Sequence, residues 1–311
     1  MNERLKRIAK AIKYFSPSPI KKYIEKKANK KRLEEGLLRY KNFKIKREEI
    51  LEVLDKIDFN HDIMLHTSML NLGHISGGVK FLAEELTYRV KDSGHTLLVS
   101  AHPYFGSFSE YLYDGMTFDT RTAPIAMGEI NARIAKLPDA LRSCHPTHSV
   151  VAVGKDVEYY TSTHHLDSTP FGKGSPYYKI IKNCGKILLF GATMNNLTMV
   201  HAIEDALGAR YPVKDIYSKK IYKINCMTQE GESVIVSTPC HNPWRSIFRH
   251  EIMLEDGLNK GYIRRWPLGA GYVIEIDAYK YAIDYIEKLK KGYSMYGKCR
   301  KLDSSVKVLF Q

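Results

Sequence analysis

Apolar and polar positions alternate along this chain with two periods. Leu5, Ile8, Ile12 and Phe15 fall within an arc of about 80° when wound at about 100° per residue, with Lys6, Lys10 and Lys13 opposite, which predicts an amphipathic basic helix. Ser16-Pro17-Ser18-Pro19 stops it, and a second helix is predicted from roughly Ile20 to Tyr40, carrying Lys21, Lys22, Lys26, Lys27, Lys30, Lys31 and Arg32. From Arg47 onward helices and strands alternate. A helix is predicted near 47–56, a strand at Asp62–His66, a loop with Gly73, Gly77 and Gly78, a helix at 79–92 and a strand at Thr96–Ser100. The continuous apolar runs Val150–Val153 and Lys186–Phe190 read as buried strands. Such alternation predicts an α/β fold with a mixed central sheet flanked by helices, its functional loops at the carboxyl ends of strands. Residues 220–237 break the rhythm: Ile221–Asn225 and Ser233–Ser237 flank Gln229-Glu230-Gly231 as a smaller antiparallel hairpin. A helix over Asp277–Lys291 closes the pattern, with Ala278, Tyr281, Ala282, Tyr285, Ile286 and Leu289 on its buried side.

Charge changes this picture at one end. The 311 residues carry 48 Lys and Arg against 34 Asp and Glu, a net charge of +14. Residues 1–50 hold 17 of the former and 6 of the latter, a net +11, whereas residues 51–311 carry 31 against 28, a net +3. Basicity is therefore concentrated in an N-terminal extension, and a nucleic-acid partner, which favours a basic face spread over the fold, is not expected. The extension, residues 1–45, has two readings. It packs on the body, or on another subunit of a homo-oligomer, through Leu5, Ile8 and Ile12 with Leu33, Leu37 and Leu38. Otherwise residues 1–41 dock on an anionic membrane surface, where each Lys or Arg adds about 1 kcal/mol of attraction. Composition excludes disorder and collagen. Cys144, Cys184, Cys226, Cys240 and Cys299 are odd in number and lack zinc-type spacing, which argues against a disulfide framework and for a reducing compartment. No run of 18 apolar residues and no signal peptide is evident, so a cytoplasmic protein, peripheral at the inner membrane face if the arm docks there, is expected. Residues 46–300 form the expected catalytic domain. The tail, 301–311, ends in Lys307-Val308-Leu309-Phe310-Gln311, which resembles the remnant of an engineered viral-protease site and is left out of the fold prediction.

Four loops gather polar groups directly after apolar strands. In the first, His66-Thr67-Ser68-Met69-Leu70 leads to Gly77-Gly78 and a helix, either a tight turn or a place where backbone N–H groups approach a phosphate or carbonyl oxygen. The second, Arg142-Ser143-Cys144-His145-Pro146-Thr147-His148, follows Met127-Gly128 and suits anion or oxyanion recognition; backbone-bonded loop histidines are the plainer reading. The third is Thr163-His164-His165-Leu166-Asp167. The fourth runs from Asn195 to Asp205, where His201 and Glu204, three residues apart, share one helix face as a general base with its carboxylate. No HExxH-type spacing is present, and no metal is expected.

Taken in order, these loops resemble the aminoglycoside N3-acetyltransferase family. The matching residues are His66-Thr67-Ser68-Met69 with Gly77-Gly78, then Gly94-His95-Thr96-Leu97, Met127-Gly128 and Arg142-Ser143-Cys144-His145-Pro146. Ser175-Pro176, Leu188-Leu189-Phe190-Gly191, Thr198-Met199-Val200-His201-Ala202-Ile203-Glu204 and Gly269-Ala270-Gly271-Tyr272 complete the set. The resemblance spans roughly residues 45–290. It implies an antibiotic N-acetyltransferase-like fold and an enzyme that moves an acyl group from acetyl-CoA, or another acyl-CoA, to an amine of an amino sugar. His201 would be the general base, with Glu204 and Thr198 beside it. His66, Thr67, Ser68, Met69, Gly77, Gly78, Arg142 and Ser143 would seat the coenzyme, and Tyr104, His145, His148 and His165 the acceptor. The acidic residue that family members place 30 to 40 residues beyond the base is replaced by Cys240-His241-Asn242, so either Glu204 orients His201 or a neutral partner does.

Enzymes of aminoglycosides need acidic clefts, whereas the body here is nearly neutral and its acceptor stretches hold His102, Tyr104, His164, His165, Lys173, Arg245 and Arg264. The expected acceptor is therefore a nucleotide-linked amino sugar destined for surface polysaccharide, with an aminoglycoside as the alternative. A non-catalytic protein binding membrane or nucleic acid through its arm is the alternative of another class.

Overall fold

A computed structural model describes residues 18–104, 111–242, 251–306 and 310; the helix expected over residues 5–15 and Arg245 lie outside them. Helix α1 (Ser18–Asn42) leads through strand β1 (Lys44–Ile45) to α2 (Arg47–Leu54). There follow β2 (Ile63–Thr67), β3 (His74–Ile75), α3 (Gly78–Asp92), β4 (Thr96–Ser100), β5 (Thr117–Asp119), α4 (Glu129–Ile134), β6 (Leu141–Arg142) and β7 (Val150–Gly154). The second half supplies α5 (Val157–Thr161), α6 (Pro176–Lys182), β8 (Lys186–Phe190), α7 (Val200–Leu207), β9 (Tyr217–Met227) and β10 (Ser233–His241). It ends with α8 (Glu251–Asn259), β11 (Ile263–Leu268), β12 (Gly271–Asp277) and α9 (Ala278–Lys290). No helix among the described residues is long and apolar enough to cross a membrane.

The main sheet runs β11-β12-β8-β2-β4-β7-β6. Its centre, β8-β2-β4, is parallel, and the flanking pairs are antiparallel, giving the expected mixed sheet. Alternate residues of the central strands feed two cores, which is why these strands read as unbroken apolar runs. Ile63, Leu65, Leu97, Val99, Leu188 and Phe190 face α2, α3 and α4. Met64, Leu98, Ile187 and Leu189 face α6, α7 and α9, packing with Ile180, Ile203, Tyr281 and Leu289. Local chemistry starts the helices: Ser175 Oγ caps α6, a helix the sequence pattern does not predict, by accepting from Tyr178 N–H with Pro176 next in line, and Asp277 caps the expected α9 by accepting from Lys280 N–H. The hairpin β9-β10 forms as expected, longer than its apolar pattern suggests, and β5 joins β9 in parallel to make a three-stranded sheet over Phe118, Ile224 and Val236.

One expectation is corrected. Leu33, Leu37 and Leu38 do not pack α1 on the body: they are 51%, 46% and 60% exposed. The helix instead lies against the 69–74 loop through Gly36, where a Cβ would come 3.0 Å from Leu70 Cβ, through Arg39 bonded to Asn71 Oδ1, and through Tyr40 edge-on to His74. Of the described residues near the C-terminus, Leu302, Val306 and Phe310 are buried in the main core, the Phe310 ring 4.9 Å from that of Tyr178.

Candidate active site

Parallel pairing of β2 with β8 brings two of the polar loops together. His66 is in register with Leu189 and Thr67 with Phe190, so the chain leaves both strands at the same sheet edge. Ser68 N–H donates to the Phe190 carbonyl (3.0 Å) and Asn71 Nδ2 to that of Gly191 (2.9 Å). Gly191, at φ +69°, is required there, since a Cβ would meet the Ser68 carbonyl at 2.5 Å. Beyond it a short turn over Met194–Asn196 starts the chain into α7, whose first turn carries His201.

His201 Nδ1–H donates to Glu204 Oε2 at 2.8 Å, and Glu204 is almost fully buried. Burial alone would raise the Glu204 carboxyl, yet the charge and hydrogen bond of His201, helped by His241, hold it down at about 2, so it is ionised. Its other oxygen accepts from Tyr211 OH (3.1 Å), which lies 2.7 Å from Tyr285 OH. His241, from the end of β10, sits on the far side with Nε2 3.7 Å from Glu204 Oε2. Of the two ways of orienting His201 that the sequence leaves open, the geometry supplies the first: Glu204 is the partner. The bond fixes the tautomer, leaving Nε2 as the lone-pair nitrogen that can accept a proton.

Glu204 also lines a cleft of about 600 Å³, within the range of small-molecule sites. The charged groups on its walls are Asp167, Glu204, Asp205 and Asp215 against Lys173 and Lys214. Burial pushes Asp205 up to about 6 despite hydrogen bonds from Thr169 and Tyr217. The cleft is acidic although the body as a whole is not.

The remaining expected residues divide. Phe171 lies 5.0 Å from the His201 ring and 4.7 Å from that of His148, which in turn meets His102 at 4.9 Å; Tyr104 stacks on His102. His148 and Tyr104 are thus joined to the site through rings. His66, beside His102, is held down at about 4 by burial. Gly77 and Gly78, at φ +89° and +68°, open α3, and the Arg47 guanidinium crowds the space a Gly77 Cβ would need, a basic group the sequence reading missed.

Arg142 and Ser143 correct the expectation. Arg142 is buried, and its guanidinium donates to the carbonyls of Ala101, Ala123 and Pro124 and to Ser149 Oγ, which occupies four of its five N–H groups inside the fold. Ser143 is fully buried between His164 Nδ1 and Val150 N–H. His145 is likewise internal, its Nδ1 accepting from the N–H groups of Thr147 and His148 and its ring stacked on His164, the plainer of the two readings. His165 stays half-buried beside that group. Thr198 does not meet the imidazole: its hydroxyl donates to the Asn196 carbonyl, and its own carbonyl accepts from His201 N–H. Arg264, expected near the acceptor, pairs with Glu275 across the β11-β12 edge. Tyr211 and His241 were not legible as partners of Glu204, since only tertiary packing brings them there.

Comparison with known proteins places this geometry. The family model described as aminoglycoside 3-N-acetyltransferase matches residues 64–279. Aminoglycoside N(3)-acetyltransferase III of Acinetobacter baumannii is 29% identical over 201 residues, covering 60% of this chain and 68% of that protein. Aminoglycoside N(3)-acetyltransferase IX of Micromonospora chalcea is 26% identical over 254 residues, covering 74% and 88%. Among solved structures, aminoglycoside acetyltransferase AAC(3)-Xa superposes with a TM-score of 0.64 at 23% identity, over 84% of this chain and 98% of that one. AAC-IIIb in a binary complex with CoASH gives 0.62 at 22%, over 81% and 98%.

Proposed function

Since the chain belongs to the aminoglycoside 3-N-acetyltransferase family and is a coenzyme A-dependent N-acyltransferase, we propose that it acetylates an amine of a polycationic amino sugar of the aminoglycoside type. The observation that carries this is the His201–Glu204 pair, whose carboxylate lines the acidic cleft. A protonated amine is not a nucleophile, so His201 Nε2 takes its proton as nitrogen attacks the thioester carbonyl. The imidazolium that forms keeps its Nδ1–H bond to ionised Glu204, which Tyr211 fixes in place. The 3-10 turn Met69–Asn71 follows directly on β2, and the N–H groups at its start, at Met69 and Leu70, suit the oxyanion. Glycines 77 and 78 at the start of α3, with Arg47, suit a coenzyme phosphate.

The nucleotide-linked acceptor favoured by overall charge is the weaker reading: four carboxylates face two lysines where the acceptor would bind, and an anionic diphosphate would be repelled. For α1, peripheral attachment to an anionic membrane remains our proposal, supported by its exposed leucines beside Lys26, Lys27, Lys30 and Lys31.

The test is acetyl transfer by the purified chain to kanamycin-like aminoglycosides and to a nucleotide-linked amino hexose. Transfer to the former, falling by about 10²–10⁴ in kcat for His201→Ala while coenzyme A binding persists, is expected. Acylation of the nucleotide sugar alone would overturn the acceptor, and an unimpaired His201→Ala would overturn the mechanism.

A further inference from the structure

Two imidazoles, not one, face the same oxygen of Glu204. His201 Nδ1 is 2.8 Å and His241 Nε2 3.7 Å from Oε2, and one ligating atom from each of the three side chains lies within 4.8 Å of the other two. The two rings have centroids 4.3 Å apart at 57°. His241 Nε2 is buried without a hydrogen-bond partner, which in a native interior asks for an explanation. Proton transfer by His201 gives it none.

The donor set supplies one. Two imidazoles and a carboxylate are the ligands of an open zinc site, and donors about 2.0–2.2 Å from the metal in a tetrahedron stand about 3.3 Å apart. The spacings of 2.8 and 3.7 Å lie on either side of that value. Tyr211 OH holds the spare oxygen of Glu204, the kind of support that orients a metal-binding carboxylate. Of the three, only His201 is not fully buried, and the rings of Phe171 and Tyr217 pack against the imidazoles of His201 and His241.

We propose that His201, Glu204 and His241 bind a divalent transition-metal ion of the zinc type, and that its binding switches the general base off. The metal takes the lone pair of His201 Nδ1, so the one proton of the neutral ring moves from Nδ1 to Nε2, with no net uptake or release. Nε2 is the atom that must accept the proton of the amine, and carrying a hydrogen it cannot. The ion is an inhibitor, not a cofactor. The inhibitory half rests on the proposed role of His201, whereas the metal site does not.

The test uses the full chain stripped of metal, titrated with Zn2+ by calorimetry and with Co2+ by visible absorption. Expected are one equivalent bound and Co2+ ligand-field bands without thiolate charge transfer. Affinity should fall by at least about tenfold in His241→Ala and Glu204→Gln and be unchanged in Cys184→Ser. Circular dichroism establishes that the variants are folded, and His241→Asn, which keeps much of the shape, should lose affinity as well. Absence of binding, a thiolate spectrum, or affinity unchanged in folded His241→Ala and His241→Asn would overturn the site. Zn2+ should inhibit acetyl transfer reversibly by chelator, with the half-inhibiting concentration raised at least about tenfold in His241→Asn. Full activity at saturating Zn2+ would overturn the switch. Because binding is read without turnover, failure of the acyl-transfer reading would leave the metal result standing.

Discussion

Arg142 carries its charge inside the fold, where burial lowers its pKa to about 10 and backbone carbonyls take its donors. Arg142→Met should therefore cost about 3 kcal/mol of stability, read from the denaturant midpoint, by stranding buried carbonyls. The KM for acetyl-CoA should stay unchanged in the folded fraction; an unchanged midpoint with a raised KM would return Arg142 to the coenzyme. Asp205 is the opposite case, a carboxylate on the cleft wall held by Tyr217 OH at 2.9 and 3.0 Å. Asp205→Asn keeps the shape and removes the charge, so the KM for a polycationic aminoglycoside should rise by about tenfold, the scale of one charged hydrogen bond, with that for acetyl-CoA unaffected. An equal loss toward both substrates would mean that the residue serves the fold. Sequence shows His201 with Glu204 because helical spacing of three joins them. It hides the buried state of Arg142, since an arginine between a serine and histidines reads the same whether its partners are anions or carbonyls.

Strands were legible wherever burial on both faces leaves an unbroken apolar run, as in β4 and β8, and less so at the sheet edge. In β11 the exposed Arg264 and Arg265 and the proline at 267 erase that pattern, and pairing with β12 alone makes the segment a strand. Helix α1 fails differently. Its leucines at positions 33 and 37 have the spacing of a packed stripe, but close approach at Gly36 turns another face inward and leaves them in solvent beside the lysines. If α1 attaches to lipid, the whole chain should sediment with vesicles rich in anionic lipid and release as salt rises. Leu33→Glu with Leu37→Glu should abolish sedimentation without changing acetyl transfer. Sedimentation unaffected by both salt and the substitutions would reject the attachment.

At the scale of the molecule, net charge misled because it averages. A body at +3 contains a cleft whose walls carry twice as many carboxylates as lysines, and the acceptor proposed above rests on that local field. Another global property comes from the histidines. His66, His102, His145, His148 and His164 are all buried between the sheet and the loops after β2, β4 and β6, and His164 is locked neutral with Nε2–H donating to the Pro170 carbonyl and Nδ1 accepting from Ser143 OH. Burial lowers His66 to about 4 and His102 and His164 to about 3, from an unfolded value near 6.5. Above pH 6.5 both states are neutral and nothing is lost. Below it the unfolded chain takes up protons that the fold refuses, so each group removes about 1.4 kcal/mol of stability per pH unit until the folded values are reached. At pH 5.5 the three together remove roughly 4 kcal/mol, a large part of a typical total of about 5–15 kcal/mol. The melting temperature should thus fall on the order of 10 °C between pH 7.5 and 5.5, and His164→Gln should make that fall shallower by about a third even if it lowers stability at neutral pH. A melting temperature that does not move over that interval would mean that these imidazoles are hydrated and charge freely in the folded protein.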